Sequence, residues 1–249
     1  MSVTINGTGN TITPVTVNTT GSVNGITPQA SNMQPFNRII NGAMTIDQRN
    51  AGAAVNYAAN SVTYIADRWY GQGVNSAGVF TLQQSADTPA GFSNSLKATV
   101  TTASTPSGTE VYRIIQRLEG YNTADLNLGT ANASSFTLSF WVKSSVTGTF
   151  SGSFWGAGAT RWFIFSYTIN AANAWEYKTV VVPPVTSGTF QTTNSTALQL
   201  TFNLGAGSTA LGSAGSWISN AASPEYYGST GQTNLISTSG ATFYITGVQ

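Results

Sequence analysis

The side chains best suited to chemistry in this sequence are aromatic rings set among hydroxyls and amides. Six Trp, 10 Tyr and 12 Phe stand in a chain of 249 residues that has no histidine and no cysteine. Without those two residue types a Ser-His-Asp triad, a thiol nucleophile and an ordinary zinc site are all excluded. Carboxylates remain. The eight acids, Asp47, Asp67, Asp87, Glu110, Glu119, Asp125, Glu176 and Glu225, are spread singly. Two of them brought together by the fold, or by sister chains, would leave glycoside hydrolysis open. Several stand close to a base, as in Asp47-Gln-Arg49, Asp67-Arg68, Arg117-Leu-Glu119 and Glu176-Tyr-Lys178, so their spacing favours charge pairing. Asp125, shortly after Asn122, could serve an oxygen-ligand metal such as calcium, although Asx residues in a solvated turn account for the same letters. The reading is therefore non-enzymatic, with no cofactor and no metal site.

Rings in a hydroxyl-rich setting suit a different chemistry. The face of a Trp or Tyr packs on the C–H face of a sugar while amides and carboxylates take the sugar hydroxyls. Trp155, in Phe154-Trp-Gly-Ala-Gly158, reads as an exposed ring on a glycine-flanked loop. Trp217, Tyr226 and Tyr227 lie in the Gly, Ser, Ala and Asn-rich stretch from Gly205 to Gly231, which reads as a long loop, and Trp141 falls on the polar face of its strand. These five are the candidate glycan contacts, with subunit packing as an equal alternative. Trp69, Trp162, Phe163 and Trp175 read instead as core, the usual place for large rings.

The elements that must position these residues are strands. Apolar residues come in short runs separated by turn residues every ten or so positions, the pattern of a β-sandwich. Candidate strands are Val62–Tyr70, Val79–Gln84, Ser95–Thr101, Glu110–Leu118, Ser134–Lys143, Thr160–Ile169, Ala174–Val182, Thr196–Leu204 and Ala241–Val248. Phe136, Leu138, Phe140 and Val142 alternate with Thr137, Ser139, Trp141 and Lys143, and Leu198, Leu200, Phe202 and Leu204 alternate with Gln199, Thr201 and Asn203. One face of each is core. Trp162-Phe-Ile-Phe165 and Val180-Val-Val182 are apolar on both faces, as for strands covered on two sides, and Pro183-Pro184 ends the second run. No segment has a convincing helical period.

The first charged residue is Arg38, so residues 1–36 form a separate module. Val3 and Ile5, then Ile12, Val15 and Val17, sit among Thr, Asn, Gly and Pro. Too few to close a core, they read as an extended attachment or oligomerisation arm that adds strands to a partner, against a flexible tail as the plain alternative. Residues 37–249 form the body. Only 7% of the chain is charged, against about a quarter in an ordinary soluble domain, and the formal net charge is +1. Such scattered charge offers no footprint for phosphate backbones or anionic lipid, so neither nucleic acid nor membrane is an expected partner. No stretch reaches the roughly 20 apolar residues of a membrane span. The N-terminus reads as cytoplasmic, lacking the features of a secretory signal, and near-zero charge favours association.

Five ordered groups of blocks in the body resemble a known family. They are Asn37-Arg-Ile-Ile-Asn-Gly-Ala-Met-Thr-Ile-Asp-Gln-Arg49 with Tyr64-Ile-Ala-Asp-Arg-Trp69, then Ile115-Gln-Arg-Leu-Glu-Gly120 with Leu128-Gly-Thr-Ala-Asn132, then Thr137-Leu-Ser-Phe-Trp-Val-Lys-Ser144, then Tyr167-Thr-Ile-Asn170 with Trp175-Glu-Tyr-Lys178, and Ala241-Thr-Phe-Tyr-Ile-Thr-Gly-Val-Gln249. Residues 37 to 249 thereby resemble tail-fibre and appendage proteins of tailed phages. The resemblance implies a jelly-roll β-sandwich similar to carbohydrate-binding modules, carried on a virion surface and often trimeric, with no catalytic residues. The expectation is a virion structural protein, assembled in the host cytoplasm as a homotrimer. It would be attached to other virion proteins by its N-terminal arm and would meet host-surface glycan. A head decoration or whisker protein, or a depolymerase with paired carboxylates, are the alternatives.

Overall fold

The computed structural model describes residues 37–158, 160–219 and 225–249. The arm at 1–36, with Val3, Ile5, Ile12, Val15 and Val17, lies outside the described residues. In chain order the strands are β1 (Val55–Tyr57), β2 (Val62–Tyr64), β3 (Trp69–Val74), β4 (Val79–Ser85), β5 (Ser95–Thr102), β6 (Val111–Glu119), β7 (Phe136–Ser144) and β8 (Gly148–Gly156). They continue with β9 (Arg161–Ile169), β10 (Glu176–Val182), β11 (Thr196–Ala206), β12 (Leu211–Gly212), β13 (Trp217–Ser219), β14 (Gly228–Ser229) and β15 (Thr242–Thr246). Two large antiparallel sheets form, in the orders β1-β4-β5-β15-β7-β10 and β13-β9-β8-β11-β6-β3-β2, while β12 and β14 make a small parallel pair. The chain is an all-β, jelly-roll-type sandwich. Helix is confined to four single turns of 3-10 type among the described residues.

Period-two alternation builds the space between the sheets, as the pleat requires. Leu138, Phe140 and Val142 of β7 face Leu198, Leu200 and Phe202 of β11 across one continuous core. Phe140 meets Phe202 edge-on at 5.0 Å and Phe136 meets Phe154 at 5.1 Å, both between sheets. Each such ring, fully removed from water, contributes about 1.5–3 kcal/mol.

A polar clasp ties the first described residues to the last. Asn37 Nδ2 donates to the carbonyl of Val248, the Val248 amide donates to the carbonyl of Gly42, and Gln249 exchanges two backbone bonds with Ser139. Gln116 on β6 bonds both backbone groups of Ile40, and Trp69 Nε1 donates to the carbonyl of Asn41. A Cβ on Gly42 would stand 2.0 Å from the Val248 oxygen, so only glycine fits there. Residues of five of the resembling blocks, Asn37–Arg49, Tyr64–Trp69, Ile115–Gly120, Thr137–Ser144 and Ala241–Gln249, thus meet in one structural joint.

Several expectations need correcting. The run Val62–Tyr70 is two strands, broken at Ile65–Arg68 where Arg68 adopts φ 73°. Strand β8 was not anticipated, because Gly148, Gly152 and Gly156 mask its two inward phenylalanines; Gly152 is required, since a Cβ there would lie 2.2 Å from the Thr201 oxygen and 2.5 Å from the Phe165 ring. Val180–Val182 is not covered on two sides: β10 is a sheet edge and Val181 is 65% exposed. The stretch 205–231 carries β12, β13 and β14 rather than being one loop.

Candidate functional site

The outer face of the seven-stranded sheet carries the site, and its geometry follows from register. With Phe154, Phe163 and Leu200 turned inward, their neighbours Trp155, Trp162 and Gln199 must point outward. Arg117 is paired with Gln199, Gln199 with Trp155, and Trp155 with Trp162; at the other end Tyr64 is paired with Tyr70. These residues form a stepped line across the strands: Arg117, Gln199, Trp155 and Trp162 share one row, and the Tyr64–Tyr70 pair, with Tyr70 opposite Ile115, lies on the next row two residues along. From β2 to β9 it crosses five gaps between strands, about 24 Å at roughly 4.8 Å per gap. Tyr64 and Tyr70 lie 5.2 Å apart, Trp155 and Trp162 stack at 6.4 Å with an interplanar angle of 21°, and Tyr226 meets Trp162 edge-on at 6.3 Å. Between the ring pairs, Tyr70 donates its hydroxyl to Gln199 Oε1 at 3.3 Å and Arg117 lies 5.4 Å over the Tyr70 ring. Burial raises the Tyr70 pKa against the pull of Arg117 and Arg113, which keeps the phenol protonated as a donor. Tyr64 and Arg117 are exposed, Trp155 is half-buried, and Tyr70 and Gln199 are buried.

Next to this line the same face is polar and buried. Thr201 pairs with Ser153 and Arg113 pairs with Asn203. Arg113 is 7% exposed; its Nε and Nη2 donate to Gln72 Oε1 at 3.1 and 2.6 Å, and the Tyr227 ring lies 3.8 Å from its Cζ. Desolvation pulls its guanidinium down to about 10, against attraction from Tyr70 and Glu225. Asn203 Oδ1 accepts from Gly205 N and from Gln232 Nε2, both at 2.8 Å, which fixes the orientation of its amide. Six buried atoms on or against this face have no hydrogen-bond partner: Arg113 Nη1, Asn203 Nδ2, Thr201 Oγ1, Ser153 Oγ, Ser229 Oγ and Trp162 Nε1. Natural proteins leave few buried polar groups unpaired, and these six gather on or against one face.

The five rings singled out from sequence divide. Trp155 lies on β8, not on a loop, and Tyr226 joins it on the outer face. Tyr227 is on this face too, but buried at 7% exposure against Arg113 rather than exposed. Trp217 on β13 turns inward: its Nε1 donates to the Pro183 carbonyl at 2.8 Å and its ring packs on Phe163 and Phe190. Trp141 lies on the opposite sheet beside Tyr177. Of the rings assigned to the core, Trp69 and Phe163 are there. Trp162 is buried but faces outward, and Trp175 is half-exposed, held by Asp87 and beneath Lys143. Tyr64, Tyr70, Gln199 and Arg113 were not singled out; their signal was period-two placement on strands whose other face is apolar.

The carboxylates are engaged differently from their sequence spacing. Glu176 pairs with Lys178 at 2.6 Å, as expected. Glu119 takes Arg68 rather than Arg117, Asp87 takes Lys143, and Asp125 receives a two-pronged bond from Arg38 at 2.7 and 2.6 Å. Asp47 accepts the backbone amides of Asn50 and Gly52 instead of pairing with Arg49, and Asp67 accepts that of Gln48. Among the described residues no three acids gather where a metal would sit.

The chain shows some similarity to solved structures. The enzymatically active domain of tailspike protein 4 from bacteriophage CBA120 is 14% identical, with 85% of this chain matched to 21% of that chain at a TM-score of 0.42. A CBM4 structure is 14% identical over 85% of this chain and 97% of its own, at 0.35. The N-terminal cellulose-binding domain of β-1,4-glucanase C from Cellulomonas fimi is 11% identical over 81% and 88%, at 0.24. No family model and no curated protein matches the chain.

Proposed function

We propose that this protein binds an extended saccharide chain along the transverse line of the seven-stranded sheet. The observation that carries the reading is the line itself: two ring pairs, Tyr64–Tyr70 and Trp155–Trp162, on either side of an amide, on one outward face about 24 Å long. Stacked rings take the apolar faces of sugars, and Gln199 and Arg117 take hydroxyls. Uncharged composition fits such a ligand better than a polyanionic duplex. The test is a glycan array followed by affinity electrophoresis with Trp155→Ala and Tyr64→Ala. Each should weaken binding about tenfold or more, and Trp141→Ala on the opposite sheet should leave it unchanged. Unaltered binding by both line variants would overturn the assignment.

The reading extends to a non-enzymatic virion component, a tail fibre or surface appendage, attached through residues 1–36 and assembled as a homotrimer. Its support is the block resemblance of residues 37 to 249 to phage appendage proteins. The engagement of seven of the eight acids with bases or backbone amides favours binding over hydrolysis. Light scattering decides the assembly: a species of three times 26.0 kDa is expected, and a monodisperse monomer would refute it.

A further inference from the structure

Arg113 and Asn203 each hold a buried donor without a partner on neighbouring strands. They are a directly opposed cross-strand pair on β6 and β11, so their Cβ atoms lie about 4.5–5.5 Å apart. Each side chain is pinned by its other atoms. Gln72 Oε1 holds Nε and Nη2 of Arg113, and Gly205 and Gln232 hold Oδ1 of Asn203, which leaves Nη1 and Nδ2 unpartnered and buried. Among the described residues no acid lies within ion-pair distance of Arg113, and Glu225 attracts it only from farther away, whereas Arg38, Arg68, Lys143 and Lys178 each meet a carboxylate directly. A buried cation without a counter-ion is costly. The arrangement supplies two N–H donors, one of them charged, which is what a carboxylate with two oxygens accepts. On the same face Thr201 stands two residues from Asn203 along β11 with Ser153 opposite it, and their unpartnered hydroxyl oxygens suit the hydroxyls of the same sugar.

We infer that this pair is a carboxylate-binding subsite, and that the saccharide taken by the sheet is acidic, bearing uronic-acid-type carboxylates. This rests on the saccharide reading above and names the ligand class. Tyr227 covers the guanidinium, so the carboxylate enters by displacing that ring. The subsite is separate from the line of rings, which would hold acidic and neutral chains alike.

The test uses the full chain with polygalacturonate, its fully methyl-esterified form and dextran sulfate as probes. Polygalacturonate should bind about tenfold or more tightly than the ester, the worth of one charge-assisted hydrogen bond. Asn203→Asp places a carboxylate of the protein's own beside Arg113. It should raise the melting temperature and remove the preference for polygalacturonate over the ester. Equal binding of the two chains, dextran sulfate binding in place of polygalacturonate, or an unchanged preference in Asn203→Asp would overturn the subsite while leaving the saccharide reading intact. If none of the chains binds and Trp155→Ala changes nothing on a glycan array, the saccharide reading falls and the subsite with it.

Discussion

Replacing Thr201 with valine should make this protein more stable and a poorer binder. Thr201 is wholly buried, and its hydroxyl oxygen has no partner. Valine has nearly the same shape and suits a strand at least as well. The substitution removes a desolvated, unpaired hydroxyl, whose presence costs about 1–3 kcal/mol. Ser153, opposite Thr201, already lacks a partner, so the change orphans nothing new. At about 2–4 °C per kcal/mol for a protein of this size, the melting temperature should rise by about 2–12 °C. Urea unfolding should show a higher midpoint at unchanged slope. Affinity for the bound saccharide should fall by up to about tenfold, one neutral hydrogen bond. Thr137→Val, at an exposed position on the opposite sheet, serves as control and should stay within about 0.5 kcal/mol. If Thr201→Val leaves the midpoint unmoved or lowers it, the hydroxyl is already satisfied in the native protein, and the argument from unpaired groups fails for the whole face.

Phe202→Ala should cost about 3–5 kcal/mol in thermal or urea unfolding, because the ring is fully buried and touches Trp69, Phe140 and Phe165; a loss under about 1 kcal/mol would contradict the packing. Gly42→Ala should destabilise by at least about 1–3 kcal/mol, since its Cβ would meet the Val248 oxygen at 2.0 Å, and a melting temperature equal to wild type would refute the clasp. Burial raises the pKa of Glu176, but bonds from Lys178, Asn170 and Ala171 outweigh it and hold the carboxyl at about 2, well below the usual carboxylate range. Folding therefore favours the ionised form, and the stability it adds is complete above about pH 5 and lost as pH falls towards 2. Glu176→Gln should flatten the stability curve over that window, measured by urea midpoints, while an unchanged slope would count against the pairing.

The parts of the fold legible in the sequence were those with strict alternation. Strands β7 and β11 could be read almost to the residue because their inward positions are all large and apolar and their outward positions mostly polar. Strand β8 was not legible, since the close approach of β11 and the Phe165 ring demands glycine where the pattern wants a side chain. The same limit governed the site. Composition pointed to rings and amides, and Trp155 and Tyr226 lie on the outer face, but a surface line depends on which strands become neighbours, and that is set by long-range pairing. Tyr64 and Trp162 are almost a hundred residues apart in sequence and come to one outer face on neighbouring rows only because four strands pair between them. Charge pairs failed for a related reason: residues i and i+2 on a strand do share a face, which served Glu176 and Lys178, but Arg117 leans over Tyr70 and leaves Glu119 to Arg68.

The clasp between Asn37, Gly42 and Val248 has a mechanical consequence. Tension applied through the two ends of the described body would be borne first by this joint, where Asn37 and Val248 are bonded side by side, and not by the long ladders of β6, β8 and β11. The joint is loaded before the sheets, so a body pulled at both ends yields there while its ladders stay closed, and the outer face of the seven-stranded sheet keeps its shape under load.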